Sequence, residues 1–256
     1  MGLLSILFPK PRGAKRTDAR SKDGRDRTVA VEGLLAPGET TDVRVRRNPR
    51  ARRISVRVDA ADGAIALTVP WHTPVEEGLR FARRQGDWLR ARLAAVPARV
   101  EFACGTSFDF QGTNLTVRHV PGRLTRREGD TLLVGGAPEF VARRVRDWLK
   151  REARTILTAK AHALSQGIGR KLKAVRIADP RTRWGSAASD GTLAFSWRLV
   201  LAPPEVLDYV VAHEVAHLRH MNHGPLFWAL VGELAGDVSA PRAWLAANGA
   251  KLLRHG

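Results

Sequence analysis

Residues 210–225 decide the fold: Val210-Val-Ala-His-Glu-Val-Ala-His-Leu-Arg-His-Met-Asn-His-Gly-Pro225, with His213-Glu214-x-x-His217 at the centre. If the stretch is helical, 3.6 residues per turn place His217 about 40° around and roughly 6 Å along the axis from His213. Both imidazoles then project from one side and can hold one metal ion. Glu214 lies about 100° around from His213, where it reaches a metal-bound water better than the metal. We therefore expect Glu214 to act as general base.

A catalytic zinc site needs a third protein ligand, because two histidines leave too many open positions. The downstream candidates are His220, His223, Glu233 and Asp237. His220 would share the helix face of His213 and His217, about 10 Å from His213, and three ligands on one straight helix cannot form a tetrahedral corner.

His223 is the predicted third ligand. If the helix ends near Met221-Asn222, where Asn tolerates the left-handed conformation, Gly224-Pro225 can open the next helix and the chain folds back. This return brings His223 over the site. Glu233 remains the alternative third ligand, in the manner of thermolysin-type enzymes.

Composition limits the class of protein without deciding its function. The chain has 256 residues, 44% of them hydrophobic, and a net charge of +18. This charge favours anionic partners, although it also fits a merely solvated basic surface. Cys104 is the only cysteine, which excludes an intrachain disulfide and fits a cytoplasmic location. The apolar start, residues 1–8, is too short for a membrane span, so no transmembrane segment is expected.

Three segments are predicted. Residues 1–38 mix Gly, Pro and charged residues and read as a flexible basic arm; residues 39–136 form a β-rich subdomain with a helix; residues 137–256 form the domain that holds the motif. Alternating apolar residues at 43–45, 54–58 and 65–69 predict a small antiparallel sheet, followed by a helix over 75–93. The fold class is therefore α+β.

Seven arginines and no acidic residue lie between Arg44 and Arg57. Arg53, Ser55 and Arg57 alternate with apolar residues, so they share the outer face of the predicted sheet. This basic face could follow the phosphate backbone of a nucleic acid or contact a nucleotide. A solvated face is the simpler interpretation, because no aromatic residues are interleaved for base stacking.

Over roughly residues 42–250 the chain resembles the YgjP-like metallopeptidase family, relatives of the SprT and WLM zinc proteases, and the resemblance is weaker in the N-terminal part, at Arg52-Arg-Ile-Ser-Val56. The resemblance is carried by Arg183-Trp-Gly-Ser186, Gly191-Thr-Leu-Ala-Phe-Ser-Trp-Arg-Leu199, Leu207-Asp-Tyr-Val-Val-Ala-His-Glu-Val-Ala-His-Leu218 and Asn222-His-Gly-Pro-Leu-Phe-Trp228. It implies a zincin-like α+β domain with an HExxH active-site helix. It also implies His213, His217 and His223 as ligands of one zinc ion, with Glu214 catalytic. The family commonly has Cys where this chain has Ala187.

These observations predict a zinc-dependent metallopeptidase that cleaves peptide or protein substrates with a zinc-activated water. The resemblance further implies that the strand at 193–197 is a sheet edge that pairs with an extended peptide. Five residues are candidates for substrate binding: Arg183, Trp184, Ser186, Arg198 and Tyr209. The two arginines either hold negative charge or form surface salt bridges, and the tyrosine either points into the cleft or only packs.

Two other functions use the same site. A zinc-dependent hydrolase of phosphoanhydride bonds, for instance in nucleotides, would use the same water and base with arginines on the phosphates. A protease recruited to nucleic acid would bind the phosphate backbone through its basic N-terminal region.

Overall fold

The computed structural model describes residues 27–256, which form eleven strands and six α-helices. Most of the strands carry apolar residues at a period of two. The described chain divides into two units, residues 27–98 and Arg99–Gly256. The fold is α+β with mixed sheets, as the predicted fold class requires.

The first unit holds a four-stranded sheet. Its strands are β1 (Arg27–Glu32), β2 (Thr40–Asn48), β3 (Ser55–Val58) and β4 (Ile65–Pro70), in the order β1-β2-β4-β3. The predicted hairpin between β3 and β4 is confirmed, but the prediction of an all-antiparallel sheet is wrong. Strand β4 pairs antiparallel with β3 on one side and parallel with β2 on the other.

Strand β1 lies within the segment that was predicted to be a flexible arm. It pairs antiparallel with β2, and Val31 and Leu34 are each only 2% exposed. Burial of these apolar side chains offsets the entropy cost of ordering the segment, so the arm prediction is wrong for residues 27–38. Its other part, residues 1–26, lies outside the described residues.

Two helices pack on the sheet, α1 (Val75–Arg84) and α2 (Gly86–Ala94), where one continuous helix was predicted. The chain bends at Gln85, and Gly86 then packs against the backbone of Leu34. A Cβ atom at position 86 would lie 2.8 Å from the Leu34 carbonyl oxygen. The break therefore allows a close approach that a continuous helix with a side chain there would block.

The predicted basic face is present on this sheet. Arg44 and Arg57 both lie beside Ala66 in the strand register, and Arg46 lies beside Thr68. Arg44 also forms a salt bridge of 2.7 Å with Asp62. A nucleic-acid role for this face stays a prediction.

A second four-stranded sheet begins the second unit. It comprises β5 (Ser107–Phe110), β6 (Thr113–His119), β7 (Thr125–Glu128) and β8 (Thr131–Val134), in the order β5-β6-β8-β7. The apolar face of this sheet, including Phe108 and Leu115, belongs to the same core as Val145 and Leu149 of α3 (Val141–Gly167). The structure thus divides the chain near residue 98, whereas the predicted boundary at residues 136–137 falls inside one core.

A three-stranded sheet precedes the motif: β9 (Ala174–Ala178), β10 (Gly185–Ala187) and β11 (Thr192–Ser196). Strand β11 pairs antiparallel with β10 and parallel with β9, so it is the central strand. The prediction that residues 193–197 form the sheet edge is therefore wrong. The chain crosses from β9 to β10, and a hairpin then returns it as β11, which lies between the two. Strand β10 is therefore an edge strand.

Three helices complete the unit: α4 (Pro204–Ala216), α5 (Pro225–Ala235) and α6 (Ser239–Leu253). Helix α4 contacts α3, α5, α6 and β10. From residue 209 to its end every residue of α4 is buried, which is typical of a helix at the centre of a core. Among the described residues, no helix is long and apolar enough to cross a membrane.

Candidate metal centre

Three histidine side chains meet at the end of α4. His213 lies in the last turn of α4, His217 follows the helix directly, and His223 lies in the loop before α5. One potential ligand atom from each lies within 4.8 Å of the others. The Nε2 atoms of His213 and His223 are 3.1 Å apart. A tetrahedral zinc ion with bonds of about 2.0–2.1 Å requires roughly 3.3 Å between ligand nitrogens, so the three side chains fit such an ion.

The return of His223 to the other two histidines is confirmed, but the predicted position of the helix end is wrong. Helix α4 ends at Ala216, about five residues earlier than expected. The amide groups of Arg219 and His220 both donate to the Ala216 carbonyl, at 3.1 and 2.9 Å, and this closes the helix. Among described non-glycine residues only Gln111 has a positive φ, so Asn222 does not form the left-handed cap that we expected.

His220 contributes through its backbone. His217 Nδ1 lies 3.0 Å from the His220 carbonyl oxygen. Because a carbonyl only accepts hydrogen bonds, Nδ1 must donate, and the Nε2 lone pair of His217 is left for a metal. Such a second partner fixes the ring of a ligating histidine. The sequence excludes His220 as a ligand but does not reveal this backbone role, which depends on the turn after α4.

Phe227, on the first turn of α5, packs against all three histidine rings. Its ring centroid lies 4.9, 4.6 and 4.7 Å from those of His213, His217 and His223. Phe227 is fully buried and forms an apolar wall that restricts how the imidazoles can turn. Trp228 lies farther out, 5.8 Å from His213.

The environment keeps the histidines neutral, which is the form that binds metal. Burial lowers the pKa of His213 to about 3, with smaller contributions from His217, His223 and Arg242. Burial also lowers the pKa of His217 and of His223.

Glu214 lies beside the cluster, between α4 and the edge strand β10. Its side chain is 2% exposed, and burial raises its pKa to about 8, against an opposing effect of Arg183. A Cβ atom at Gly185 of β10 would lie 2.5 Å from Glu214 Cγ and 2.6 Å from Oε1. Only glycine at position 185 leaves room for this carboxyl group.

Three further candidates lie near the motif helix. Tyr209 is buried one turn before His213, with ring centroids 6.0 Å apart in an edge-to-face contact, and burial raises its pKa to about 12. Trp184 is buried next to Gly249 and so packs in the core. Ser186 lies on β10, half-buried and paired in register with Ala194.

The structure separates the two candidate arginines. Arg183 is exposed and acts electrostatically on Glu214. Arg198 is 8% exposed, bonds to the Asp179 carboxylate and donates to the His255 carbonyl oxygen at 3.1 Å. Its two terminal nitrogens are bonded within the fold, as the salt-bridge interpretation required, although the pair is largely buried on the arginine side.

Arg242 on α6 is a neighbour of the cluster that the sequence analysis missed. Its guanidinium lies 4.9 Å from the Trp228 ring centroid, and its charge lowers the pKa of His213 and of Tyr209. No local signal marks this residue, since it lies far along the chain in an ordinary helix.

Comparison with known proteins gives one match. The family model described as YgjP-like, metallopeptidase domain matches residues 52–248. No curated protein and no solved structure gave a match.

Proposed function

The chain belongs to the YgjP-like metallopeptidase family, and from this premise we propose that it hydrolyses peptide bonds with one zinc ion held by His213, His217 and His223. The observation that carries the proposal is the meeting of three imidazoles, each with a pKa that burial lowers, beside a buried carboxyl group. Three nitrogen ligands leave the fourth position of a tetrahedral ion open, as catalytic zinc sites require.

When bound, zinc supplies Lewis-acid chemistry at that open position. Glu214 is the general base: its carboxylate takes a proton from the attacking water and delivers it to the nitrogen of the leaving amine. Burial raises the pKa of this carboxyl group to about 8 in the chain without metal, so the group holds the proton that it has taken until the leaving nitrogen accepts it. The backbone at Gly185 limits where the Glu214 carboxyl group can move, which orients it for both transfers.

The substrate lies along β10 in this proposal. One side of β10 is bonded to β11, and the other side is the sheet edge nearest Glu214. An extended peptide can add to such an edge through backbone hydrogen bonds. Ser186 lies on the same short strand and is placed to contact such a peptide.

The first experiment compares wild type with Glu214→Gln. We expect about one zinc per chain in both proteins and a loss of peptide cleavage by about 10²- to 10⁴-fold in the variant. The assay uses a denatured-protein mixture and a panel of nucleotides. Nucleotide hydrolysis that depends on Glu214, without peptide cleavage, would favour the phosphoanhydride alternative and overturn the proposal.

The second experiment tests the ligand set with a matched pair of histidine variants. His223→Ala should lose zinc, because it removes a ligand nitrogen. His220→Ala should keep zinc, because only its backbone carbonyl contacts His217. Equal zinc content in the two variants would contradict the proposed ligand set.

A further inference from the structure

Arg242 is half-buried and has no carboxylate partner among residues 27–256. Its guanidinium carbon lies over the Trp228 ring, at 4.9 Å from the ring centroid. Burying a charge is costly unless it is paired, and a half-buried guanidinium keeps only part of its contact with water. Stacking on an indole offsets only part of that cost and leaves the N–H donors of the guanidinium available.

The Tyr209 hydroxyl is in a similar condition. Tyr209 is 1% exposed, and its Oη has no hydrogen-bond partner among the described residues. Buried hydroxyl groups are rarely left without a partner. The ring of Tyr209 contacts His213, so the hydroxyl group lies within the same side-chain cluster.

Both side chains approach the metal centre. Tyr209 contacts His213 directly, and Trp228, which carries Arg242, lies 5.8 Å from His213. The charge of Arg242 lowers the pKa of Tyr209, and Glu214 raises it, which is consistent with a hydroxyl group close to both.

The two groups have one chemical requirement in common. A guanidinium group offers only donors, and the Tyr209 hydroxyl offers one more, so their shared partner must be an acceptor. The planar fork of arginine matches a carboxylate. Arg198 offers a contrast inside the molecule, because the Asp179 carboxylate and a backbone carbonyl already bond to its two terminal nitrogens.

We propose that Arg242 and Tyr209 form a carboxylate-binding subsite that selects peptides with a carboxylate close to the scissile bond. This inference rests on the proposed peptidase function. The carboxylate can come from a free peptide C-terminus or from an Asp or Glu side chain, and the experiment distinguishes these sources.

The test uses four peptides of one sequence around the cleaved bond. One pair differs in a free or amidated C-terminus near that bond, and the other pair differs in Glu or Gln beside it. In wild type we expect a lower KM for the peptide that has the recognised carboxylate. Arg242→Gln should raise that KM about tenfold with little change in kcat, and should leave the neutral peptide unaffected. Tyr209→Phe should have a smaller effect of the same kind.

Lys251→Gln is the matched control, because it removes one positive charge from the same helix about 13 Å farther along its axis. It should change neither KM. Arg242→Lys keeps the charge but loses the fork, and should fall between wild type and Arg242→Gln. This variant also keeps the test decisive if Arg242→Gln fails to fold.

A binding measurement separates this inference from the proposed function. Calorimetry with the zinc-loaded Glu214→Gln protein measures the affinity of the same peptides without turnover, with and without Arg242→Gln. A tenfold loss of affinity confined to the carboxylate peptide supports the subsite. Equal losses for charged and neutral peptides overturn it and leave the function intact. If wild type cleaves no peptide, the proposed function fails, and the calorimetric pair still decides the subsite.

Discussion

The cores of the two units differ in what they bury. The core of residues 27–98 is a cluster of ten apolar residues from β1 to α2, and the only buried charged side chain in that range is Asp59. Asp59 serves a turn, since its carboxylate accepts the Ala61 amide at 2.9 Å. In the core of residues 99–256, by contrast, His213, Glu214 and His217 are buried on and directly after its central helix.

This difference separates stability from chemistry. An apolar core stabilises a fold at every position, whereas buried titratable groups cost free energy unless they are paired or bound. The second core gathers three such groups at one place, between the end of α4 and the strand β10, whereas the buried Arg198 is paired with Asp179 elsewhere in that unit. This cost in free energy is offset if the groups act together on one ligand.

The largest effect on stability is expected in the first core. Leu67 is fully buried at the centre of the sheet, where it packs against α1 at Gly78. Leu67→Ala should lower the free energy of unfolding by about 2–5 kcal/mol, measured by urea denaturation. Zinc content and KM should not change. Thr68→Ala, on the opposite face of β4, is the control and should cost about 0.5 kcal/mol or less. A loss of zinc in Leu67→Ala would show that the apolar core also supports the site.

Gly185→Ala should act on chemistry more than on stability. The added methyl group would lie 2.5 Å from Glu214 Cγ and must displace the carboxyl group. We expect kcat to fall about a hundredfold with zinc still bound, because small displacements of a reacting group have effects of this size. Gly232→Ala in α5 is the matched control, since no atom lies within 4 Å of its Cβ position. Wild-type kcat in Gly185→Ala would remove the proposed orienting role of β10.

The third effect concerns the pH dependence of stability without metal and is confined to a limited pH window. Burial raises the pKa of Glu214 to about 8 in the folded chain, against an ordinary value of 4.5. Between these values the folded chain holds a proton that the unfolded chain has lost, so stability falls as pH rises. Glu214→Gln removes this pH-dependent loss of stability, because glutamine does not titrate. With chelator present, the variant should gain on wild type by on the order of 1 kcal/mol per pH unit across that window.

Urea denaturation at pH 5, 6.5 and 8 measures this gain. The histidines of the cluster are the same in both proteins, so their titration contributes equally to each measurement. A difference between variant and wild type that stays constant with pH would mean that the folded environment does not favour the protonated form of Glu214.

Local features of the site followed from sequence because they depend on short distances along the chain. His213 and Glu214 lie on one helix, His217 follows it directly, and the Gly224-Pro225 pair returns His223 to them within a few residues. Alternating apolar residues likewise predicted the hairpin of β3 and β4. The predicted helix end was too late. The turn that closes α4 at Ala216 and a further helical turn differ little in free energy, so the sequence does not fix the last residue of the helix.

Features that depend on distant pairing did not follow from the sequence. The parallel pairing of β2 with β4 and the edge position of β10 are choices among strand orders that the same alternation allows. Arg198 and Arg242 are the same residue type in the sequence. In the structure Arg198 bonds to the Asp179 carboxylate, whereas Arg242 lies over Trp228 and has no carboxylate partner among the described residues.

The sequence by itself predicted the candidate site residues, three histidines and one glutamate, because helical periodicity and one tight return constrain their spacing. Only the tertiary structure decided what surrounds that set. The glycine that makes room for Glu214, the phenylalanine against the imidazoles and the arginine beside Tyr209 come from β10, α5 and α6. These residues reach the site because β10, α5 and α6 pack around α4, and no local pattern in the sequence predicts that packing.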